Sequence, residues 1–583
     1  MKKAWDFTLF YKSETDPQIE KDVQKAERLY KEFAEKYKND CEFTENSDRL
    51  FEALTDYEQL QKEATFKPLM YWNFIRDTNS SHKRAEAEFN KLMPRYTNAG
   101  NETIFFTLKL GKIPVDKQKA FLKDPKLKHF HYFLKVIFDT AKYDLSEPEE
   151  KILSIFSQTS RSMWIDAVEK YISKLTVKYK SKQIPLPEAT GILPGLPTKE
   201  RRKLHIDIMS EVRKAADFAE AEINAVYTDK KIRDELRGLK EPYDATIIGY
   251  QNDPEIIKKL VETTTKYFSI SHRFYKLKAK ILKEKKLTYA DRGAKAGNIN
   301  MKFDLASSYV VTEKAFAKAD PKFARMLKKF FDEGRVDVYP KKGKRGGAYC
   351  SSSIHTPTMV LLNHTDDLRS VTTLAHEMGH AFHSELSKAN QSSLYADYTT
   401  SVAEVASTLF ENFVFDEVFE KLNDKEKIIA LHNQINDDIS TIFRQIACFN
   451  YEHDLHKAVR SQGMVTHQDM AKLMNKHMQA YLGPAVKLEE NDGYFFIKWS
   501  HIRNFFYVYS YAFGQIISKA LYAEYKKDKT FIKKIEQFLS AGGSMSPFDI
   551  FESIGIDTSK PEFFEAGLKE IEEDIKRLEK LVK

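Results

Sequence analysis

The sequence predicts a mainly helical protein with one small β-sheet, and three observations carry that expectation. Gly (21) and Pro (18) are scarce in a chain of 583 residues, well below the usual shares of roughly 7% and 5%, so sandwiches, barrels and fibres are disfavoured. Apolar residues recur at spacings of three and four over most of the length, the mark of one helical face. Short segments rich in β-branched and aromatic residues gather in one region, about 300–364.

Taken in order, residues 15–180 read as successive amphipathic helices. Ile19, Val23, Ala26, Leu29 and Phe33 form one such face. The first break is IPLPEATGILPGLP at 184–197, where Pro185, Pro187, Gly191, Pro194, Gly195 and Pro197 interrupt any helix. It places a boundary between an N-terminal helical lobe, 1–190, and the remainder, 191–583. MKFDLASSYVV, RVDVYP, GGAYCSSSI and TMVLL, separated by Gly, Pro, Lys and Asn, then read as the small sheet. Helices resume at about 366 and run almost to the end. No repeat of fixed period is apparent, which disfavours a solenoid.

The charge excludes more than it assigns. A net +8 is the small difference between 93 basic and 85 acidic side chains mixed along the chain. The densest cluster, Lys341, Lys342, Lys344 and Arg345, is short and lacks interleaved aromatics, so neither nucleic acid nor a membrane is expected as a partner. No run reaches the ~18–20 apolar residues of a membrane span. The opening MKKAWDFTLFYKSETDP is interrupted by Asp6, Lys12 and Glu14 before a signal core forms. Cys41, Cys350 and Cys448 are too few and too far apart for a disulfide framework, so a reducing cytoplasm is the expected setting.

The chemistry concentrates in TTLAHEMGHAFH at 372–383. On a helix, His376 and His380 lie about 40° apart around the axis and one turn apart along it, so their imidazoles can converge on one ion. Glu377 then sits beside the ion, where a carboxylate can take a proton from water. Leu368, Val371, Ala375, Met378 and Phe382 form the core stripe, and both histidines point away from it. Zinc is the economical partner for them, one ion per chain. The metzincin pattern is excluded, because the seventh and tenth positions after His376 are His383 and Leu386. His383 is expected to support the site or pack beside it, and Glu385 falls on the wrong side of the helix. For a third ligand, Asp397, Glu404 and Glu411 remain. Glu404 is embedded in SVAEVASTLFENF, where a lone carboxylate is costly unless paired or metal-bound. Glu411 shares its face and can brace a neighbour by hydrogen bonding. A buried salt bridge is the alternative for Glu404.

TMVLLNHTDDLRSVTTLAHEMGHAFHSEL followed by AEVASTLFENF resembles the peptidase core of the oligoendopeptidase F family, in the thimet oligopeptidase and neurolysin superfamily. WDFTLFYKSETDPQIEKD, HRFYKLKAKIL and KKGKRGGAYCSS extend the resemblance over nearly the whole chain. It implies zinc on His376, His380 and Glu404, with Glu377 as general base. LTYADRGAKAG at 287–297 departs from the family pattern, which bears on local substrate contacts and not on the chemistry. In GYFFIKWSHIRNFFYVYSYAFGQ the resemblance gives substrate and carbonyl contacts to His501 and Tyr507, and then to Tyr511; Tyr509 points nearly the opposite way, as a core residue would. Oxyanion donors of this kind typically contribute about 100–1,000-fold in rate.

Gly346, Gly347, Ala348 and Tyr349 are a candidate substrate edge, since a glycine pair admits another backbone; a hairpin turn is the plainer alternative. Cys350 reads as a small buried residue and not a redox switch. The expectation is two helical lobes around a deep substrate channel, with the zincin-type helix on its wall and the small sheet beside it. The expected activity is zinc-dependent endopeptidase cleavage of short oligopeptides. A dipeptidyl carboxypeptidase of the same superfamily, or a silent zinc-stabilised peptide-binding protein, are the rivals. The first rival needs a cationic anchor for a terminal carboxylate, which the sequence does not reveal.

Overall fold

The computed structural model describes residues 1–299 and 301–583. It is 71% helix and 4% strand, as the scarcity of Gly and Pro leads one to expect. Among the described residues no helix is long and apolar enough to cross a membrane. The chain forms two compact units, each assembled from three stretches of sequence. Unit 1 is Met1–Lys142, Met301–Glu420 and Glu524–Gly555; unit 2 is Tyr143–Asn300, Lys421–Ala523 and Ile556–Lys583. The proline-rich stretch 184–197 therefore falls inside unit 2, and the first change of unit comes at Lys142/Tyr143. That stretch also tolerates a short helix, Leu186–Ile192, because Pro187 stands in its first turn, where a missing N–H costs no hydrogen bond.

Unit 1 starts with helix Gln18–Tyr37, which buries Val23, Ala26, Tyr30, Phe33 and Tyr37 at the expected spacing. Phe33, Phe43 and Tyr57 pack around Phe106 with ring centroids 5.0–5.2 Å apart. Aromatic pairs of this kind add to a burial term of about 1.5–3 kcal/mol per side chain. The N-terminal segment is fastened to the sheet: Trp5 Nε1 donates to the carbonyls of Arg335 (3.1 Å) and Val360 (2.8 Å).

That sheet has three strands. Thr356–Leu361 lies in the centre, parallel to Val336–Asp337 and antiparallel to Tyr349–Ser353, which is an edge strand. The expected strand over MKFDLASSYVV is a helix, Leu305–Ala319. Asp304 caps it by accepting from the Ser307 N–H at 2.9 Å, and Leu305, Ser308, Val311, Thr312, Ala315, Phe316 and Ala319 are its buried face. The period of three and four continues beyond Val311 and overrides the β-branched composition. The remaining three strand segments stand where they were expected.

Unit 2 is built from long helices, among them Ala216–Arg237, Phe268–Ile281, Phe443–Gln462, His467–Leu482 and Pro561–Leu581. The hairpin Thr176–Tyr179/Lys182–Pro185 and a two-residue parallel bridge, Leu287 with Val486 and Thr288 with Lys487, are its strands. In its interior Arg503 makes a two-pronged ion pair with Glu222, at 2.5 and 2.6 Å. Such bidentate geometry is what a buried guanidinium requires to offset its desolvation.

Candidate metal centre

Two helices of unit 1 make the site. The first, Leu368–Asn390, leaves the central strand through a loop and is capped by Asp367, which accepts from the Ser370 N–H at 2.8 Å. Its core stripe is as expected: Val371, Ala375, Met378 and Phe382 are fully buried. Phe382 packs against Phe316, Phe323 and Phe410, with centroids 5.0–5.2 Å apart. The second helix, Thr400–Phe419, buries Val402, Val405, Ala406, Leu409 and Phe410.

The two helices nearly touch at Gly379. A Cβ there would lie 2.7 Å from Ser407 Cα and 2.9 Å from the Ala406 carbonyl oxygen. No L side chain fits without separating them. This glycine, between the two histidines, is the residue that sequence reasoning missed. Its signal was available, because a mid-helix glycine costs about 1 kcal/mol against alanine and suggests a close backbone approach.

The close approach brings His376, His380 and Glu404 together, their ligand atoms all within 4.8 Å of one another. The two imidazoles lie 4.9 Å apart at 83°, and His376 Nε2 is 3.6 Å from Glu404 Oε2. Glu404 is itself steadied by Ser407, whose Oγ donates to Oε2 at 3.2 Å. The other nitrogen of His376, Nδ1, is hydrogen-bonded to Glu411. That bond fixes the ring and leaves Nε2 facing the cluster. Burial works against a charge on His376, but Glu411, Glu377 and Glu404 outweigh it and raise the imidazole to about 9. Burial, with His376 and His383 adding to it, holds His380 well below the ordinary histidine range.

Glu377 is buried beside this cluster, 5% exposed. Burial pushes its carboxyl up to about 7; His376 opposes the rise, Glu404 and Glu411 add to it, and a hydrogen bond from the Cys350 backbone opposes it. Cys350 belongs to the edge strand, so helix and strand edge adjoin at this carboxylate. A cavity of about 330 Å³ opens beside His380, lined with it by Cys350, Ser352, Asp397 and Tyr398 but not by Glu377. Asp397 stands on this wall and is not a member of the ligand cluster.

His383 is a packing residue. Its ring stacks on Tyr398 at 3.5 Å and 4°, and burial holds it neutral, down to about 3. Glu385 points away from the cluster, as expected, and turns to the sheet, where Thr358 Oγ1 donates to it at 2.6 Å and Arg335 at 3.0 Å. Gly346, Gly347 and Ala348 precede the edge strand instead of forming it: the strand begins at Tyr349 and runs to Ser353. Gly347 takes φ +77°, a turn conformation, so the main-chain edge lies a few residues further on than the glycine pair suggested.

In unit 2, His501, Tyr507 and Tyr511 come together. The Tyr507 and Tyr511 hydroxyls are 2.7 Å apart, and the His501 ring lies 5.8 and 6.0 Å from the two phenol rings. Tyr507 is not on the helix, which starts at Tyr509; it follows two non-glycine residues in the left-handed region, Phe505 (φ 44°) and Phe506 (φ 59°). Such backbone costs of order 1–3 kcal/mol per residue and persists only where its surroundings enforce it. Here Glu452, fully buried, accepts the Phe506 N–H at 2.8 Å. Tyr509 faces the core, fully buried, and accepts from Asn252 Nδ2 at 2.9 Å.

A mainly helical fold with two histidines and a glutamate converging from adjacent helices, and a buried glutamate between the histidines, defines a class of candidate metallohydrolases. Comparison with known proteins narrows it. Residues 203–570 match Peptidase family M3, and residues 109–175 match Oligopeptidase F. The chain belongs to peptidase family M3. Oligopeptidase PepF of Bacillus subtilis strain 168 is 25% identical over 562 residues, covering 94% of this chain and 83% of that protein. Among solved structures, oligoendopeptidase-F from Enterococcus faecium has a TM-score of 0.68 at 16% identity, covering 97% of both chains. A structure from Chlamydophila abortus, described provisionally as a peptidase, reaches 0.86 at 20% identity, covering 99% of this chain and 98% of that one.

Proposed function

We propose that the chain is a zinc-dependent endopeptidase that hydrolyses internal bonds of oligopeptides. The observation that carries the reading is the convergence of His376, His380 and Glu404 beside buried Glu377. Two imidazoles and one carboxylate are the donor set of catalytic zinc sites, which leave a position open, whereas structural sites are closed by four protein ligands. The residues therefore fit the ion: His376 and His380 would hold it through ring nitrogens and Glu404 through a carboxylate oxygen. A zinc ion held there supplies Lewis-acid chemistry, polarising a peptide carbonyl and making water more acidic.

The chain's own groups do the rest. Glu411 holds His376 in the required tautomer. Glu377 takes the proton of the attacking water on a carboxylate oxygen as the new C–O bond forms. It then delivers that proton to the amide nitrogen as the C–N bond breaks, so the carboxylate is regenerated. His501 and Tyr507 are given hydrogen-bond donation to the developing oxyanion, with Tyr511 holding the Tyr507 hydroxyl in place. The edge strand Tyr349–Ser353 is given the main-chain pairing of an extended substrate. The family membership and the names of the relatives support oligopeptides as the substrate class.

The test is cleavage of an internally quenched nonapeptide. Turnover is expected, with loss on chelation and recovery on adding zinc. Turnover indifferent to chelation, or none in the zinc-loaded protein, would contradict the reading.

A further inference from the structure

Unit 2 holds a group of cations that the reaction above does not use. Arg292, Arg444 and Lys498 come from three distant segments: the turn after Tyr289–Asp291, the first turn of Phe443–Gln462, and the last residue of Phe495–Lys498. They lie against three neighbouring rings, Tyr289, Trp499 and Phe495, of which Phe495 is 6.0 Å from Tyr289 and 5.2 Å from Trp499. Burial and the two guanidiniums push the Lys498 ammonium down to about 8, and no carboxylate among the described residues acts on it. The Nε atoms of both arginines are buried without a hydrogen-bond partner. Arg292 Nη1 reaches Ser440 Oγ only at 3.5 Å.

What surrounds these charges is aromatic. Arg292 lies 5.5 Å from the Tyr289 ring, Arg444 5.7 Å from Trp499, and Lys498 5.7 Å from Phe495. Ring faces attract a cation but bring no counter-charge. The carboxylate next to Arg292 in sequence, Asp291, is already committed, accepting from Arg201 at 2.7 and 3.0 Å and from Arg202 at 2.9 Å. Several cations elsewhere in unit 2 have their acids: Arg503 has Glu222, Lys230 and Arg460 share Asp234, and Lys519 has Asp438. Lys278, fully buried, has instead two neutral acceptors, the Arg292 carbonyl at 2.6 Å and Asn436 Oδ1 at 2.7 Å. The cluster of Arg292, Arg444 and Lys498 has neither an ion pair nor, at its two Nε atoms, an acceptor among the described residues. Half-buried like charges are costly unless an anion completes them, and perturbed groups of this kind gather where ligands bind.

We propose that Arg292, Arg444 and Lys498 form an anion-binding site that takes a carboxylate of a bound peptide, either its C-terminal group or an acidic side chain. The proposal rests on the peptide-binding reading given above. A guanidinium fork matches a carboxylate in its plane, and two forks with an ammonium provide more donors than one carboxylate can accept. The aromatic walls suit the apolar parts of a peptide, and His501 belongs to the same neighbourhood, since Arg444 adds to the burial that lowers its imidazole.

The test reads binding without turnover, using zinc-loaded Glu377→Gln protein and three acetylated nonapeptides in a calorimeter. One has a free C terminus and an internal Gln; the second has the same sequence amidated; the third is amidated with Glu replacing the Gln. A carboxylate-bearing peptide should bind about tenfold tighter than the neutral one, the scale of one charge-assisted contact. The peptide that gains identifies the carboxylate. The gain should fall below about threefold, or some 0.6 kcal/mol, in Arg444→Gln and Lys498→Met and persist in Lys498→Arg, which keeps the charge. Equal affinity for all three peptides, no binding of any, or a gain that survives both neutral replacements would overturn the proposal. Competition by inorganic phosphate without a carboxylate gain would overturn it too. Absence of cleavage by the wild-type protein would count against the peptidase reading alone.

Discussion

The His376–His380–Glu404 cluster of unit 1 and the His501–Tyr511 cluster of unit 2 are made in different ways. The first stands on two regular helices: spacing along one axis sets His376 and His380, and a glycine contact sets the second helix that carries Glu404 and Glu411. The second stands on irregular backbone, a strained turn at Phe505 and Phe506 held by the carboxylate of Glu452. Regular elements fix side-chain positions by periodicity. A turn fixes them only through partners brought from elsewhere in the chain. The two clusters should therefore differ in what disturbs them.

Substitution of the base should have the largest effect. Glu377→Gln keeps shape and removes the proton acceptor, so turnover should fall by at least about 10²–10⁴-fold while zinc content stays at one per chain. Activity above about a tenth of wild type would remove Glu377 from the role.

Next comes the helix contact. At an open mid-helix position Gly→Ala would stabilise by up to about 1 kcal/mol. At Gly379 the sign should reverse, since the new methyl meets Ser407 and Ala406 backbone, an overpacking cost of about 1–3 kcal/mol. Thermal unfolding and zinc affinity should fall together in Gly379→Ala, because parting the helices moves Glu404 from the histidines. A raised melting temperature with zinc retained would show that the contact does not set the site.

The smallest effect belongs to unit 2. Tyr507→Phe should lower kcat by roughly 100-fold, the low end for an oxyanion donor, with KM little changed, as for a hydrogen bond made mainly in the transition state. An unchanged kcat would leave Tyr507 as part of the aromatic packing.

What could be read from sequence follows the same division. His376, His380 and the core stripe were legible because helical periodicity states which residues share a face, whereas Glu404 stood out as a lone carboxylate in an apolar helix and through the family resemblance. Glu385 was placed away from the metal face for the same reason, and the sheet claims it. MKFDLASSYVV misled because it ends on an aromatic and β-branched run, Tyr309, Val310 and Val311; the helical period shows only when the window reaches Ala315 and Phe316, and Asp304 is its cap. The glycine pair at 346–347 marked a turn correctly, but the pairing edge it introduces lies at Tyr349–Ser353. Tyr507 and Tyr511 were legible as residue types, not as a hydroxyl pair across a turn. Arg292, Arg444 and Lys498 were not legible as a group, because no local pattern links three segments so far apart.

The central claim is that Glu404 is the third ligand of a zinc site built on two adjacent helices. Its most direct test is the zinc content of wild type, Glu404→Ala and Asp397→Ala after the same exhaustive dialysis. Wild type and Asp397→Ala should retain one zinc per chain, and Glu404→Ala should retain almost none, since two imidazoles alone hold the ion poorly. A zinc-replete Glu404→Ala protein, or a zinc-free Asp397→Ala protein, would contradict the account.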